Sequence, residues 1–539
     1  MSALPAQPSE LYDLAVVGGG INGAGIAADA AGRGLKVFLC DQADFAAATS
    51  SASSKLVHGG LRYLEHYEFR LVREALAERE VLLRIAPHLV RPQRFVMPHA
   101  PHLRPVWQIR AGLFLYDYLG KRVTLPGSHR IDIDREPTLR AALRAELRTG
   151  FEYSDCTVDD ARLVIANLLS ARDHGATVLN YTRCDRAHVV DGEWQLRTTN
   201  TLDGTRSHTI RARTLVNAAG PWAQHFLEHN ARQKSPYQVR LVQGSHIVLP
   251  RLHDDPRALI IQNTDRRVVF VIPWLDFTVI GTTDRDYTGD PARVRISDTE
   301  TQYLLDVANK HLNRHLRHSD IIGSWSGVRP LCDDESGDPA AVTRDYTLAL
   351  STTAGAPLLS VFGGKLTTYR RLALGALEEL APYFPAAVSG KAAQWTHRQT
   401  LPGGALNGAT PAEYASAVHA VFPWLPATLA NRWAHAYGSR TRELIGSATA
   451  LSELGQCFGH DLYAREVDFL CTSEWARNSD DILWRRSKLG MYLDATAHRA
   501  LQEYVDQRQA DEDEPATRLG QGLPKELGKL EMTFGRHLQ

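Results

Sequence analysis

Cationic side chains beside short turns are the residues of this sequence best suited to chemistry on an anionic molecule. They are Arg62 in HGGLRY, Arg329 in GVRP, Arg344 in TRDY and Lys365 in FGGKLTT. A guanidinium offers paired N–H donors that match the oxygens of a phosphate or carboxylate, and glycine lets the backbone approach a ligand closely. Each arginine alone is most simply a surface ion-pair residue, but the set predicts a pocket for a dianion.

A glycine pattern near the N-terminus predicts the cofactor site. Gly18, Gly20 and Gly23 form G-x-G-x-x-G between an apolar run at residues 14–17 and a helix of small residues. These glycines permit a tight turn, a close approach of a pyrophosphate and close helix–strand packing. A second apolar run at residues 37–40 ends at Asp41, whose carboxylate is placed to accept a hydrogen bond from a ribose hydroxyl. We therefore predict a dinucleotide-binding βαβ unit, with the phosphates at the helix N-terminus.

The predicted dinucleotide is FAD. The small-residue spacing continues to Ala27 and Gly34, as is typical of FAD-binding units, and Asp41 would repel the additional phosphate of NADP. A Ser-rich loop follows at residues 42–55. It is either a polar surface loop or, as we predict, a loop folded over the cofactor. The residues predicted to bind FAD are Gly18, Gly20, Gly23, Asp41, Thr49, Ser50, Ser54, Gly220, Gly363, Gly364, Lys365, Leu366 and Thr367.

The groups that could assist oxidation are two histidines and a lysine. His58 and His246 are candidates for taking a hydroxyl proton, and each can equally be a structural histidine. Gly364 and Lys365 are predicted to begin a helix, so that their N–H groups can stabilise negative charge on a reduced flavin. Lys365 can alternatively contact the substrate. The predicted catalytic residues are His58, Arg329 and Lys365.

The order of elements predicts an α/β fold with an additional helical domain. A discontinuous, Rossmann-like FAD-binding domain is expected at residues 11–90, 150–235 and 326–382. A substrate or cap domain, containing an inserted antiparallel sheet, is expected at 91–149 and 236–325. A C-terminal helical domain at 396–508 and a flexible tail at 509–539 complete the prediction.

Composition excludes several classes of protein. The 539 residues are 44% hydrophobic and carry no formal net charge, which favours a globular protein and gives no support for nucleic-acid binding. The six cysteines are scattered without C-x-x-C spacing, so we expect neither a metal site nor a disulfide centre. No apolar stretch approaches the roughly 18 residues of a membrane span, and no signal peptide is evident. We therefore expect an intracellular, cytoplasmic protein.

The segment 84–122 is the candidate for membrane contact. It contains seven basic residues and one acidic residue, interleaved with aromatic and aliphatic side chains. Basic and apolar groups together favour an interfacial segment. The alternative is a buried helix with a solvated basic rim.

Six blocks of sequence together resemble one family. They are VVGGGINGAGIAAD at 16–29, TSSASSKLVHGGLRYL at 49–64, NAAGPW at 217–222, GTTD at 281–284, SGVRPL at 326–331 and FGGKLTTYR at 362–370. The chain resembles the aerobic, FAD-dependent sn-glycerol-3-phosphate dehydrogenases of the D-amino-acid-oxidase-like flavoprotein superfamily. The helical part is similar through YGS at 437–439 and LWRR at 483–486. Asp41 departs from the family pattern, in which Glu is common at this position.

The resemblance implies a reaction and roles for the residues. Glycerol 3-phosphate would be oxidised to dihydroxyacetone phosphate, with hydride passing from C2 to flavin N5 and electrons continuing to a membrane quinone. Arg62, Tyr63, Arg329 and Arg344 would hold the substrate, and Lys365 would lie beside both flavin and substrate. The protein would lie at the inner face of the cell membrane, and the resemblance leaves room for a homodimer.

Two alternatives remain from the sequence. The first is a flavoenzyme that passes electrons to oxygen, acting on glycerol 3-phosphate or on a 2-hydroxy or amino acid; the arginines favour a phosphate over a single carboxylate. The second is a non-catalytic binding protein that keeps the fold without the flavin, which the intact glycine pattern and Asp41 argue against.

Overall fold

The chain folds into two compact units. The computed structural model describes residues 10–100, 103–120, 123–204, 207–332, 345–388 and 393–513. The larger unit comprises residues 2–85 and 90–399, and the smaller unit comprises residues 86–89 and the chain from residue 400 onward. The finer division into domains stays a prediction.

The described strands are numbered in chain order. They are β1 Leu11–Val17, β2 Val37–Cys40, β3 Leu56–Val57, β4 Val90–Pro98, β5 His129–Asp132, β6 Thr149–Val158, β7 Thr177–Leu179, β8 Thr182–Val190, β9 Glu193–Asn200, β10 Ser207–Asn217, β11 Val239–Pro250, β12 Ala258–Gln262, β13 Val268–Trp274, β14 Phe277–Gly281, β15 Arg285–Asp286, β16 Gly323–Cys332, β17 Thr347–Ser351 and β18 Leu358–Phe362.

The described α-helices follow the same convention. They are α1 Ile21–Gly32, α2 Phe69–Ile85, α3 Val106–Leu119, α4 Pro137–Ala142, α5 Asp160–Asp173, α6 Ala223–His225, α7 Asp298–His311, α8 Tyr369–Leu380, α9 Pro411–Val421, α10 Ala427–Tyr437, α11 Thr441–Ile445, α12 Ala464–Glu474 and α13 Ala495–Asp513.

The first sheet of the larger unit is built around a parallel core. Strands β18, β10, β1, β2 and β7 are parallel neighbours, with β17 antiparallel at one edge. The meander β8–β9–β10 joins the same sheet. Asp191 and Gly192 both have positive φ at the β8–β9 turn, as an Asp-Gly hairpin turn requires. Because β1 is flanked on both sides, the turn after it opens at the carboxyl edge of the sheet.

The second sheet is mostly antiparallel and carries the opposite wall of the site. Its order is β15-β11-β14-β13-β12-β4-β6-β3, with β16 paired to β11 and β5 paired to β6. Only the pairing of β12 with β4 is parallel among the described pairs of this sheet. Its apolar face packs against α7, whose N-terminus is closed by a capping box between Ser297 and Glu300.

Three strands within the segments predicted for the FAD-binding domain, namely β3, β6 and β16, pair in the second sheet. β6 pairs with β4 from Val90–Val158 to Pro98–Gly150, and β16 pairs with β11 along its whole length. Alternation of side chains predicts that a segment is a strand but not which strand it pairs with. These strands therefore belong to the second sheet, while the predicted domain boundaries at residues 150 and 326 stay a prediction.

The smaller unit has its own helical core. Its buried apolar cluster contains fully buried Trp433 and Tyr437, and every member lies between residues 406 and 505. Helix α13 continues to Asp513, into the segment predicted as a flexible tail. A side-chain hydrogen bond of 3.0 Å from Gln507 to Asp511, four residues apart, supports this end of the helix. The tail beyond residue 513 lies outside the described residues.

Candidate active site

The turn between β1 and α1 can be formed only with glycine at two positions. Gly18 has φ +115°, and a Cβ there would lie 2.3 Å from the Ala218 carbonyl oxygen. A Cβ at position 23 would lie 1.9 Å from the Gly18 carbonyl oxygen. Gly20 is the N-cap of α1. The predicted glycine turn thus forms a close-packed backbone cradle at the helix N-terminus.

Asp41 lies beside this cradle at the end of β2. Its carboxylate accepts hydrogen bonds from the backbone N–H groups of Gly19 at 2.6 Å and Ala43 at 2.9 Å. Burial raises the pKa of Asp41 to about 6, although both backbone donors favour the charged form. Asp41 as a residue is partly exposed, and two backbone donors fix its carboxylate beside the glycine turn.

The Ser-rich loop crosses the start of α1. Ser50 Oγ accepts a hydrogen bond of 3.0 Å from the Ile21 N–H, and Thr49 Oγ1 donates one of 2.6 Å to the Val328 carbonyl. Ser54, which is predicted to bind the cofactor, has its hydroxyl hydrogen-bonded to His246 Nε2 at 2.8 Å. The loop therefore connects the cradle to the second sheet.

The turn before α8 also meets the cradle. Gly363 and Gly364 have φ of +76° and +102°, and the Gly363 carbonyl accepts a hydrogen bond of 3.0 Å from Asn22 Nδ2. The Oδ1 atom of Asn22 is buried without a hydrogen-bond partner among the described residues. Lys365 precedes a 3-10 turn at Leu366–Thr368, so α8 begins at Tyr369, later than predicted. A glycine cradle, a ribose-directed carboxylate and an unsatisfied amide oxygen together fit FAD. Gly220, with φ +56°, lies three residues after the end of β10, and a Cβ there would meet no atom within 4 Å.

Residues 58–63, called the substrate loop below, contact this turn. The Thr367 hydroxyl lies 3.3 Å from the His58 backbone nitrogen, which donates to it, and 3.4 Å from the His58 carbonyl. Lys365 Nζ lies 3.9 Å from the centre of the Tyr63 ring, a cation–π contact. The backbone of Arg62 lies in a 3-10 turn at Leu61–His66. The loop and the lysine are therefore brought together as the sequence predicts.

Arg329 is held on the second sheet by a carboxylate. Its guanidinium donates to Asp284 Oδ1 at 2.6 Å and to Thr282 Oγ1 at 3.1 Å. It lies over Gly244, where a Cβ would be 2.4 Å from Nη2. About a quarter of the Arg329 side chain is exposed. Arg329 is thus pre-oriented, with part of its surface open to an anion.

His246 is buried on β11, four residues from Val242, which is the residue opposite Arg329 on β16. It pairs with Gly281 of β14 and Trp325 of β16, and its ring stacks on that of Trp325 at 5.3 Å. Burial, and secondly the charges of Arg329 and Lys55, lower the pKa of His246 to about 3. Its imidazole is therefore neutral near pH 7. His58 is only partly buried, with its ring 6.5 Å from that of Phe270.

Comparison with known proteins assigns the family. The family described as FAD dependent oxidoreductase matches residues 13–370, and that described as the C-terminal domain of alpha-glycerophosphate oxidase matches residues 394–511. A glycerol-3-phosphate dehydrogenase of Pseudomonas aeruginosa is 58% identical over 504 residues, covering 93% of this chain and 96% of that relative. The chain belongs to the FAD-dependent glycerol-3-phosphate dehydrogenase family.

One further relative and one solved structure are also similar to this chain. A D-erythritol 1-phosphate dehydrogenase of Brucella abortus is 47% identical over 502 residues, covering 93% of this chain and 99% of that relative. The X-ray structure of a glycerol-3-phosphate dehydrogenase from Bacillus halodurans complexed with FAD matches with a TM-score of 0.74 and 27% identity, covering 98% and 94% of the two chains. The predicted fold class, the assignment as an oxidoreductase and FAD as cofactor are confirmed.

Sequence reasoning missed the acidic residues that support the cationic ones. Asp284 lies inside a recognised block but was given no role, although it orients Arg329. Glu300, buried at the start of α7, accepts hydrogen bonds from Ser245 at 2.9 Å and Thr283 at 2.6 Å, and so ties β11 to the segment beside Arg329. A buried acid three residues after a helix-capping serine is the only local signal. Arg344 lies outside the described residues.

The segment 84–122 is not a single interfacial element. It contains the end of α2, the internal strand β4 and then α3, because the apolar residues of β4 complete the second sheet. Arg94, counted among its basic residues, is paired with Glu152 at 2.5 Å, and Lys121 and Arg122 lie outside the described residues. Within the described ranges, no helix is long and apolar enough to cross a bilayer.

Proposed function

We propose that this protein oxidises sn-glycerol 3-phosphate to dihydroxyacetone phosphate. The observation that carries the proposal is the junction of the substrate loop with the 363–367 turn through Thr367, together with the bond from that turn to Asn22 of α1. These contacts join the backbone of the substrate loop to the turn predicted to lie beside FAD, which supports a dianion site next to the cofactor. Bound FAD supplies hydride acceptance from an alcohol carbon. The 58% identical dehydrogenase supports the choice of substrate.

Each proposed role follows from the setting of the residue. Arg329 is pre-oriented by Asp284 and binds an anionic oxygen of the substrate with its open surface. Lys365, held against Tyr63, contributes a second positive charge, and Arg62 and Arg344 contribute further cations. Two or more cations match a phosphate dianion better than a single carboxylate. Gly18, Gly20, Gly23 and Asp41 hold the phosphates and ribose of FAD.

His58 is the proposed acceptor of the C2 hydroxyl proton. Loss of that proton and of a hydride converts the secondary alcohol to a ketone. His246 is the less suitable base because its pKa of about 3 disfavours the imidazolium it would become. His58 lies in the substrate loop and is partly exposed, so it can meet substrate directly.

The substrate assignment is tested by anaerobic reduction of the purified holoenzyme. We expect sn-glycerol 3-phosphate to bleach the flavin absorbance with the highest kcat/KM. D-erythritol 1-phosphate is the essential comparison, because a 47% identical relative carries that name. A 2-hydroxy acid and an amino acid test for selection of a single carboxylate. Bleaching only by a substrate without phosphate would contradict the proposal.

The proposed electron acceptor is a membrane quinone. The alternative acceptor is oxygen, which the match of residues 394–511 to the C-terminal domain of a glycerophosphate oxidase keeps under consideration. Turnover should be rapid with a soluble quinone analogue, and hydrogen peroxide should form slowly in its absence. Stoichiometric peroxide at the same rate would instead indicate an oxidase.

Contact with the membrane is proposed through α3. This helix exposes Trp107, Phe114 and Tyr118, while Arg104 and Arg110 are also exposed along it or just before it. Aromatic and basic side chains on one surface suit the boundary of an anionic membrane. We therefore propose peripheral attachment at the cytoplasmic face of the cell membrane. A homodimer stays a prediction, which sedimentation velocity of the holoenzyme would test.

A further inference from the structure

A buried tyrosine of α3 contacts the backbone of the substrate loop. The hydroxyl oxygen of Tyr116 accepts a hydrogen bond of 2.8 Å from the Gly59 N–H. The same hydroxyl donates to the carboxylate of Asp155, with both oxygens at 2.8 Å. Asp155 Oδ1 also lies 3.2 Å from the Gly59 nitrogen. Tyr116 is one of only two fully buried residues of α3, the other being Leu113.

The negative charge behind this contact is fully paired. Arg79 of α2 donates to Asp155 Oδ1 at 2.6 Å, and both side chains are buried. The bonds form a continuous chain from the Gly59 N–H through the Tyr116 hydroxyl to Asp155 and Arg79. Charge-assisted hydrogen bonds in a buried chain strengthen one another. Burial and the nearby Asp155 raise the pKa of Tyr116 well above its ordinary value, so the hydroxyl remains a donor.

The loop has no space to move toward α3. A Cβ at position 59 would lie 2.6 Å from the Tyr116 hydroxyl and 2.5 Å from Leu76 Cδ2. Gly60, the next residue, has φ +75° and turns the chain into the 3-10 segment that carries Arg62 and Tyr63. Gly59 is therefore the point at which the loop is fixed between two helices and the turn beside Lys365.

We propose that Tyr116, supported by Asp155, is a positioning residue for catalysis: it fixes the Gly59 N–H and so sets the place of His58, Arg62 and Tyr63 relative to Lys365. The inference rests on the proposed function for the roles of those residues. It assigns to α3 an inward face that serves the active site, distinct from its exposed aromatic face. Tyr116 touches neither substrate nor cofactor in this role, and acts through the loop.

The test variant is Tyr116→Phe in the holoenzyme, which keeps the ring and removes only the hydroxyl. Hydrogen–deuterium exchange of the peptide containing residues 58–63 is the first measurement, and it requires no substrate. We expect exchange at Gly59 to become about tenfold faster, because the net contribution of one hydrogen bond to stability corresponds to about that change in the opening equilibrium. The second measurement is steady-state kinetics, in which kcat/KM should fall about tenfold while flavin content per protein is unchanged.

The matched control is Tyr12→Phe. The Tyr12 hydroxyl is hydrogen-bonded to Thr177 Oγ1 at 3.1 Å in the first sheet, and the residue is buried. This variant also removes a tyrosine hydroxyl and its partly buried hydrogen bond, but should leave both the exchange of residues 58–63 and kcat/KM at wild-type values. A merely structural role of Tyr116 would make the two variants alike in kinetics.

The outcomes separate this inference from the proposed function. Unchanged exchange of residues 58–63 in Tyr116→Phe overturns the inference, whatever the substrate proves to be. Faster exchange with an unchanged kcat/KM also overturns it, because the loop would then not need to be fixed. Wild-type enzyme that does not oxidise glycerol 3-phosphate overturns the proposed function alone; kinetics are then measured with whichever substrate bleaches the flavin.

Discussion

At the scale of single residues, Arg329 owes its orientation to Asp284. Asp284 lies in the short segment between β14 and β15, whereas Arg329 lies on β16, and their 2.6 Å contact holds the guanidinium over Gly244. Removing the carboxylate in Asp284→Ala frees a long side chain that has several rotamers, so substrate is held less accurately. We expect kcat/KM for glycerol 3-phosphate to fall about tenfold to a hundredfold, with FAD content unchanged.

The control for this prediction lies two residues away. Asp286 forms an analogous pair with Arg240 at 2.6 Å, but half of its side chain is exposed. Exposed pairs contribute little, and Arg240 has no proposed role in the reaction. Asp286→Ala should therefore keep the wild-type kcat/KM. Equal losses in both variants would show that the pair around Arg329 has no special function.

Buried His246 predicts a pH dependence of stability. Its pKa of about 3 in the folded protein lies below the ordinary value of 6.5, so the unfolded chain binds a proton that the folded chain does not. Its contribution to stability is complete above pH 6.5 and is lost progressively as the pH falls from 6.5 toward 3, by about 1.4 kcal/mol per unit. Urea denaturation of wild type and His246→Gln should show a steeper acid loss for wild type. Parallel slopes between pH 6.5 and 5 would contradict the neutral buried imidazole.

The place of a residue in the fold could be predicted where the signal is local. The positions of Gly18 and Gly23 follow from the short sequence that joins one strand to one helix, and the structure places both in the cradle. Asp284, Tyr116 and Asp155 contact partners that are distant along the chain. A single sequence carries no signal for such pairs, because an isolated acid or tyrosine is equally suited to the surface. The folded sheets bring them together.

At the scale of elements, α3 has an unusual distribution of apolar residues. Trp107, Phe114 and Tyr118 are 71%, 63% and 67% exposed, whereas large aromatic groups on a water-exposed surface are unfavourable unless they bind something. We expect Trp107→Ser/Phe114→Ser to reduce co-sedimentation of the holoenzyme with anionic phospholipid vesicles at least fivefold, because each ring contributes to insertion at the interface.

The experiment on α3 needs a control for general loss of surface hydrophobicity. Leu275 is 45% exposed at the turn between β13 and β14, so Leu275→Ser removes an exposed apolar group elsewhere. It should leave vesicle binding unchanged. Unaltered sedimentation of the α3 double variant would exclude this helix as the membrane contact.

Element boundaries were predictable where apolar runs and breakers coincide. The apolar run at residues 37–40, which ends at Asp41, matches β2. Helix α2 begins only at Phe69, because the left-handed Tyr67 ends the preceding 3-10 turn. Left-handed backbone at a tyrosine has no sequence signature. The pairing of strands is harder to predict than their boundaries, because the side chains of β6 and β16 do not specify which sheet each strand joins.

At the scale of the whole molecule, the two units have separate buried cores. Glu466 is central to the smaller one: it is fully buried and accepts hydrogen bonds from Arg432 at 2.6 and 2.7 Å, from Trp433 Nε1 at 2.9 Å and from Tyr437 at 2.6 Å. All residues predicted to bind FAD belong to the larger unit. A ligand of one unit and a lesion in the other should therefore act on different unfolding events.

Calorimetry of the holoenzyme distinguishes these events. Excess FAD at about 100 times its Kd should stabilise the larger unit by about 2.7 kcal/mol and raise its transition. Glu466→Gln leaves the Arg432 guanidinium without its countercharge, which costs about 3–5 kcal/mol of stability. The midpoint temperature of the smaller unit's transition should therefore fall. That of the larger unit and the flavin content should stay constant. Glu503→Gln, at an exposed position of α13, removes a charge without this cost and should change neither. A single transition, raised by FAD and lowered by Glu466→Gln, would show that the two cores unfold together. Only in that case can FAD, bound by one unit, raise the unfolding temperature of the other.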